Sequence, residues 1–210
     1  MASWRVIDAS FERSAPTTAQ LPDDGRPELA FAGRSNVGKS SLLNALSNAP
    51  GLARVSKAPG RTQLLNAFSW TLIDEAGNRV ATRCVDLPGY GFAKVARQVR
   101  DAFAPMVEQY LEGRPSLRHV LLLIDCRREI DERDMSLVDF LAARETSVLL
   151  VGTKGDKLGA AERGVWIDRT TSLSGVPRRS VFLTGARTGI GVAGPRSLLE
   201  ALARTLVVPR

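Results

Sequence analysis

A chain of 210 residues is long enough for one sizeable core and short for two, so a single folded domain is expected. With 44% hydrophobic and 24% charged residues it is neither disordered nor fibrous, and its longest apolar run, Val120 to Ile124, falls far short of the roughly 18 residues of a membrane span. A formal charge of +7 points to polyanionic company such as nucleic acid, with a merely solvated basic surface as the competing reading.

From Met1 to Phe11 the chain carries Arg5 and Asp8 but no apolar h-region, which argues against a secretory signal and for a cytoplasmic protein. Residues 1–26, with Pro16, Thr17, Thr18, Pro22 and Gly25, read as an N-terminal extension and loop, and 27–207 as the folded domain. A short strand over Leu29 to Ala32 leads into a helix from Lys39 to Ser47. Strands near Gln63 to Ile73 and Val80 to Val85 follow, joined by the hairpin turn Glu75-Ala76-Gly77-Asn78.

Next come a helix over Arg97 to Glu112, a strand over Val120 to Asp125 and a helix over Glu132 to Arg144. A strand over Ser147 to Thr153, a helix over Ala160 to Thr171, a strand over Val181 to Thr184 and a helix over Pro195 to Leu206 complete the order. This alternation predicts an α/β fold: a doubly wound, mostly parallel sheet with helices on both faces and one antiparallel edge strand. Cys84 and Cys126 end apolar runs without metal-ligand spacing and read as buried thiols. His119 has no Cys or His companion, and Phe68, Trp70 and Trp166 read as packing residues. From Gly159 onward eight arginines face only Glu162, Asp168 and Glu200, so part of the positive charge is local.

Gly33-Arg34-Ser35-Asn36-Val37-Gly38-Lys39-Ser40 satisfies G-x-x-x-x-G-K-[ST] between a strand and a helix, the context in which that pattern binds phosphate. The glycines let backbone N–H groups curl around a β-phosphate, and the following helix points its positive end at the charge. Lys39 is expected to bridge the β- and γ-phosphates and Ser40, followed by Ser41, to ligate Mg²⁺. Asp86-Leu87-Pro88-Gly89 ends the Val80 to Val85 strand, which brings Asp86 to the same sheet edge as a holder of Mg²⁺ and the Gly89 N–H toward a γ-phosphate.

Thr153-Lys154-Gly155-Asp156 follows another apolar strand. A carboxylate at Asp156 can accept from both guanine N1–H and its exocyclic amine, a donor pair adenine lacks, so the ligand is read as GTP or GDP. The Lys154 stem can cover the base face. Leu183-Thr184-Gly185-Ala186 is expected to offer backbone N–H groups to the guanine carbonyl. The polar loop Ser56 to Gln63 has the composition of a segment ordered by γ-phosphate and Mg²⁺. Within it Thr62 is the expected second Mg²⁺ ligand, with Gly60, Arg61, Gln63 and Leu64 as neighbouring contacts.

These segments together resemble the bacterial EngB/YihA/YsxC family of ribosome-biogenesis GTPases. The resemblance rests on Phe31 to Ser41, Pro59-Gly60-Arg61-Thr62-Gln63, Asp86-Leu87-Pro88-Gly89-Tyr90-Gly91, Ile124-Asp125-x-Arg127 and Thr153-Lys154-x-Asp156-Lys157. It departs at Thr184-Gly185-Ala186, where a serine pair is usual, and at the extra residues Gly191 to Pro195. It implies a monomeric GTPase switch that binds precursors of the large ribosomal subunit, rRNA and proteins together, and supports normal cell division and septation.

The glutamine that often orients water after D-x-x-G is replaced by Tyr90, which predicts slow intrinsic hydrolysis. By resemblance to GTPases that use a potassium ion, Asn36 is the residue to hold K⁺; an asparagine bonded within its own loop is the alternative. Lys39, Asn36 and Thr62 are thus the candidate catalytic residues. A regulatory GTPase of another RNA- or membrane-associated process, and a nucleotide-binding structural protein without turnover, stand as rival readings.

Overall fold

The computed structural model describes residues 4–53, 64–89 and 97–207, with backbone alone over 97–104. Seven strands form one sheet: β1 Arg5–Ala15, β2 Glu28–Gly33, β3 Leu65–Ile73, β4 Arg79–Asp86, β5 Leu117–Asp125, β6 Ser147–Thr153 and β7 Val181–Leu183. Their spatial order is β1-β3-β4-β2-β5-β6-β7. β4, β2, β5, β6 and β7 run parallel, and β3 runs antiparallel to both its neighbours, β1 and β4. From β2 the chain lays β3 and β4 on one side, then crosses to β5 on the other. The strand order therefore reverses beside β2, and the carboxyl ends of the strands open a crevice there.

Among the described residues five helices cover the sheet: α1 Lys39–Leu46, α2 Arg97–Gly113, α3 Glu132–Ala142, α4 Ala160–Ser174 and α5 Leu198–Val207. Alternation along the strands sorts the core into two layers. Leu29 and Phe31 of β2, with Leu121 and Leu123 of β5, join Leu42, Leu43 and Leu46 of α1 and Leu198 and Leu202 of α5. Their neighbours Ala30, Ala32, Val120, Leu122 and Ile124 join Tyr110 and Leu111 of α2 and Val138 and Leu141 of α3. Each fully buried Leu, Ile or Phe contributes about 1.5–3 kcal/mol. A one-residue slip of β5 would exchange its two faces and misplace every one of them.

The N-terminal segment departs from the sequence reading. Residues 5–15, expected as extension and loop, form the sheet's edge strand, with Trp4 and Ala15 buried. β1 is paired along β3 from Arg5↔Ile73 to Ala15↔Leu65, with register shifts between Val6 and Asp8 and between Phe11 and Arg13. Those two bulges break the period-2 signal that would have revealed a strand. The single reversed strand, β3, is consequently one place in from the edge. α5 begins at Leu198 rather than near Pro195, because Ser197 Oγ accepts from Glu200 N–H (3.3 Å) and starts the helix there.

At the opposite end of the parallel strands from the crevice lies a buried charge network. Arg83 is fully buried; its Nε donates to Glu12 (2.8 Å), Nη1 to Glu28 (2.9 Å) and Nη2 to Asp24 (2.8 Å). Glu28 also accepts from Arg114 Nη2 (2.7 Å) and Tyr110 Oη (3.0 Å), tying α2 to β2. Burial works against the Arg83 charge, yet its bonds to Glu12, Glu28 and Asp24 hold its pKa above that of an ordinary arginine.

Candidate functional site

The phosphate loop leaves β2 through Gly33 (φ 152°) and enters α1 through Gly38 (φ 117°). A Cβ at Gly33 would stand 2.8 Å from Leu123 O, so only glycine allows the loop to pass so close to β5. Gly38 is the N-cap of α1, which leaves the first helical N–H groups facing the loop with the positive end of the helix behind them. Thr153 Oγ1, buried at the end of β6, donates to Val37 O (2.6 Å) and fixes the loop from beneath.

Lys39 Nζ lies 3.9 Å from Asp86 Oδ1 across this loop, with both side chains about nine-tenths buried. Burial raises the Asp86 pKa to about 6, and the Lys39 charge only partly opposes it. Among the described residues, the buried Asp86 Oδ1 has no hydrogen-bond partner. The turn after it lies on the phosphate loop: a Cβ at Gly89 would stand 2.7 Å from Ser35 Oγ and 3.0 Å from Ser35 N. Leu87 and Pro88 are buried, and Leu87 N–H donates to Phe31 O (3.0 Å), so they act as a backbone leash.

An unpartnered buried carboxylate oxygen beside a lysine, with a serine hydroxyl at Ser40 next to that lysine, fits Mg²⁺, which takes hard oxygen ligands and few carboxylates. Among the described residues no group of three or more His, Cys, Asp or Glu gathers.

The segment expected to meet the base begins at Lys154, held at φ 61°. Its Nζ donates to Asn36 O (3.1 Å) in the phosphate loop and to Asp125 Oδ2 (2.7 Å) at the end of β5. Burial would raise the Asp125 pKa, but hydrogen bonds from Arg127 and Lys154 hold it well below the usual carboxylate range. Gly155 N–H donates to Thr184 O (2.8 Å), which joins the two base loops, and Leu183 packs over Gly152 and Gly155. A cleft of about 190 Å³ runs from the start of α1 to these loops, lined by Gly38, Ser41, Leu42, Thr153, Lys154, Asp156, Lys157, Thr184, Ala186 and Arg187.

The site residues read from the sequence thus come together at one crevice: Gly33 to Ser41, Asp86 to Gly89 and Thr153 to Asp156. Gly60, Arg61, Thr62, Gln63 and Tyr90 lie outside the described residues, and Leu64 stands half-buried just before β3. One expectation is corrected. Thr184 N–H donates to Gly152 O (2.6 Å) and Gly185 N–H to Ile190 O (2.9 Å), so neither amide is open to a base. Ala186 follows, inside the loop that the Gly185–Ile190 bridge closes.

Three residues were missed by sequence reasoning. Asp125 stood in a recognised motif without a role. Asp131 accepts from Arg34 Nη1 (2.6 Å) while its other oxygen caps α3; its signal was the D-x-x-D capping pattern before the helix. Arg187 lines the cleft, and its sequence context carries no signal.

A family model described as 50S ribosome-binding GTPase matches residues 28–154. "Probable GTP-binding protein EngB" of Anaeromyxobacter sp. (strain K) is 40% identical over 200 residues, spanning 95% of this chain and 93% of that protein. Its namesake from Geobacter metallireducens is 48% identical over 161 residues, 76% of this chain and 74% of the other. A crystal structure of a probable GTP-binding protein engB superimposes with a TM-score of 0.62 at 22% identity, covering 85% of this chain and 96% of that one, a likeness of fold.

Proposed function

Because the chain belongs to the EngB family of GTP-binding proteins and is a P-loop GTPase, we propose that it is a switch in assembly of the large ribosomal subunit, binding precursor particles with GTP and leaving after hydrolysis. Normal cell division and septation depend on it through that role, and it works in the cytoplasm as a monomer. The observation that supports this reading most is the convergence of Lys39, Asp86 and Asp156 on one crevice, with Lys154 tying the loop of one to the loop of another. The family description and the +7 charge support rRNA and ribosomal proteins as the partner.

The N–H groups at the start of α1 bind the β-phosphate, and Lys39 spans the β- and γ-phosphates. Ser40, Thr62 and Asp86 would hold Mg²⁺, which would supply charge neutralisation at the phosphates. Gly89 N–H meets the γ-phosphate and so reports its presence to the segment that follows. Asp156 accepts from the guanine edge, Lys154 covers the base, and the Ala186 N–H meets the carbonyl. With Tyr90 where a glutamine would orient water, the isolated protein hydrolyses GTP slowly; Asn36 would hold a K⁺ that would add positive charge at the phosphates and raise the rate.

Co-sedimentation with purified large-subunit precursors tests the proposal. Association is expected with a non-hydrolysable GTP analogue and not with GDP. Equal binding in both states, or none in either, would refute the switch.

A further inference from the structure

Outside the motifs that define the nucleotide site, one carboxylate holds a piece of it in place. Lys154 extends from the end of β6, and its ammonium makes two contacts: Asn36 O in the phosphate loop at 3.1 Å and Asp125 Oδ2 at 2.7 Å. Asn36 itself sits at φ 61°, in the left-handed region that asparagine tolerates better than most residues. Of the two contacts, only the one to Asp125 pairs opposite charges, and it is the shorter. Asp125 is well placed to be rigid. It ends β5 in register with Thr153, its side chain is 15% exposed, and Arg127 grips it through Nε (2.9 Å), Nη2 (2.7 Å) and its backbone N–H (3.1 Å).

A lysine has several rotatable bonds and a compact, strongly hydrated charge, so left alone it samples many positions. Fixing one end of its ammonium on a clamped carboxylate confines it to the place from which it reaches Asn36 O. Such confinement removes ordering that nucleotide binding would otherwise have to supply.

We propose that Asp125 is a positioning residue of the nucleotide site, acting through Lys154 to brace the phosphate loop against the base loop. The proposal rests on the reading of Lys154 and Asp156 as the base-binding segment. Since the brace exists before ligand arrives and does not touch the γ-phosphate, its loss weakens GDP and GTP to the same degree, as the loss of binding common to both nucleotides would.

A double-mutant cycle on the full chain tests it, using Asp125→Asn, Lys154→Met and the pair, with GDP affinity, KM and kcat for GTP, and the melting temperature measured for each. Asp125→Asn is expected to weaken GDP and raise KM by about tenfold, the worth of one charge-assisted contact. Lys154→Met does so at least as strongly, and the double variant is no worse than Lys154→Met alone. Asp125→Glu, which keeps the charge, recovers most of the affinity, which a purely structural role would not predict. Independent, additive losses, or unchanged GDP binding in Asp125→Asn, overturn the proposal while the base-segment reading stands. Unchanged binding in Lys154→Met overturns that reading and the proposal with it. Asp125→Ser runs the same cycle where Asp125→Asn does not fold.

Discussion

Replacing Arg83 by methionine tests how the end of the sheet remote from the crevice is held. The guanidinium is fully buried and serves Glu12, Glu28 and Asp24 at once. Removing it strands those carboxylates unequally. Glu28 keeps Arg114 and Tyr110, and Glu12 and Asp24 keep Arg26. Breaking a buried ion pair from one side costs roughly 3–5 kcal/mol, and the remaining partners place Arg83→Met at the lower end, about 3 kcal/mol. For a chain of this size that is a fall in Tm of about 6–12 °C. Arg83→Lys keeps a charge but not the three-way fork, and is expected between the two. Urea unfolding gives the stability, and GDP titration of the folded fraction should match wild type, since the network lies across the sheet from the phosphate loop. A loss below about 1 kcal/mol, or a GDP affinity changed more than a few-fold, would refute the argument.

Three further outcomes follow from the crevice. Gly89→Ala places a methyl 2.7 Å from Ser35 Oγ and 3.0 Å from Ser35 N, so a GTP analogue should bind about tenfold more weakly while GDP changes little, as isothermal titration would show. In the metal-free protein the folded pKa of Asp86 is about 6 against an ordinary 3.8. A raised carboxyl pKa means that this group favours the fold when protonated and that its contribution is lost as pH rises through about 6. Mg²⁺-dependent tightening of GDP, which needs the ionised form, should therefore fade between pH 7 and pH 5, and Asp86→Asn should remove both dependences and raise metal-free stability by about 1 kcal/mol. Hydrolysis in KCl should exceed that in NaCl at equal ionic strength by about tenfold, with the isolated protein staying below roughly 1 s⁻¹; equal rates in the two salts would count against a role for Asn36 in holding K⁺.

What the sequence disclosed depended on whether a signal was local. The phosphate loop was legible because a strand, two glycines and a helix start must follow one another within a dozen residues, and each leaves a mark. Asp86 and Asp156 were legible for the same reason, each standing just past an apolar run that had to be a strand. β1 was not, because bulges at Ile7 and Glu12 put its inward residues out of step, and its partner β3 is more than 50 residues away. The committed amides of Thr184 and Gly185 were also hidden, since their acceptors Gly152 and Ile190 become neighbours only once the sheet and loop have closed. Asp125 showed the intermediate case: its position was noticed, but its use by Lys154 is a fact of two adjacent strands, β5 and β6, and of no single segment.

The edge strand carries a consequence for how the backbone of β3 is kept from solvent. β3 is nine residues of largely apolar sequence, Leu-Asn-Ala-Phe-Ser-Trp-Thr-Leu-Ile, and β1 covers its whole outer side. A chain begun after residue 26 would present that strand's unpaired backbone to solvent, a template for stacking one molecule on another. In its place the protein offers β1, bent by two bulges and bearing Arg5, Asp8 and Arg13 beside the exposed Ile7 and Phe11. The first strand thus shields β3 as much as it extends the sheet.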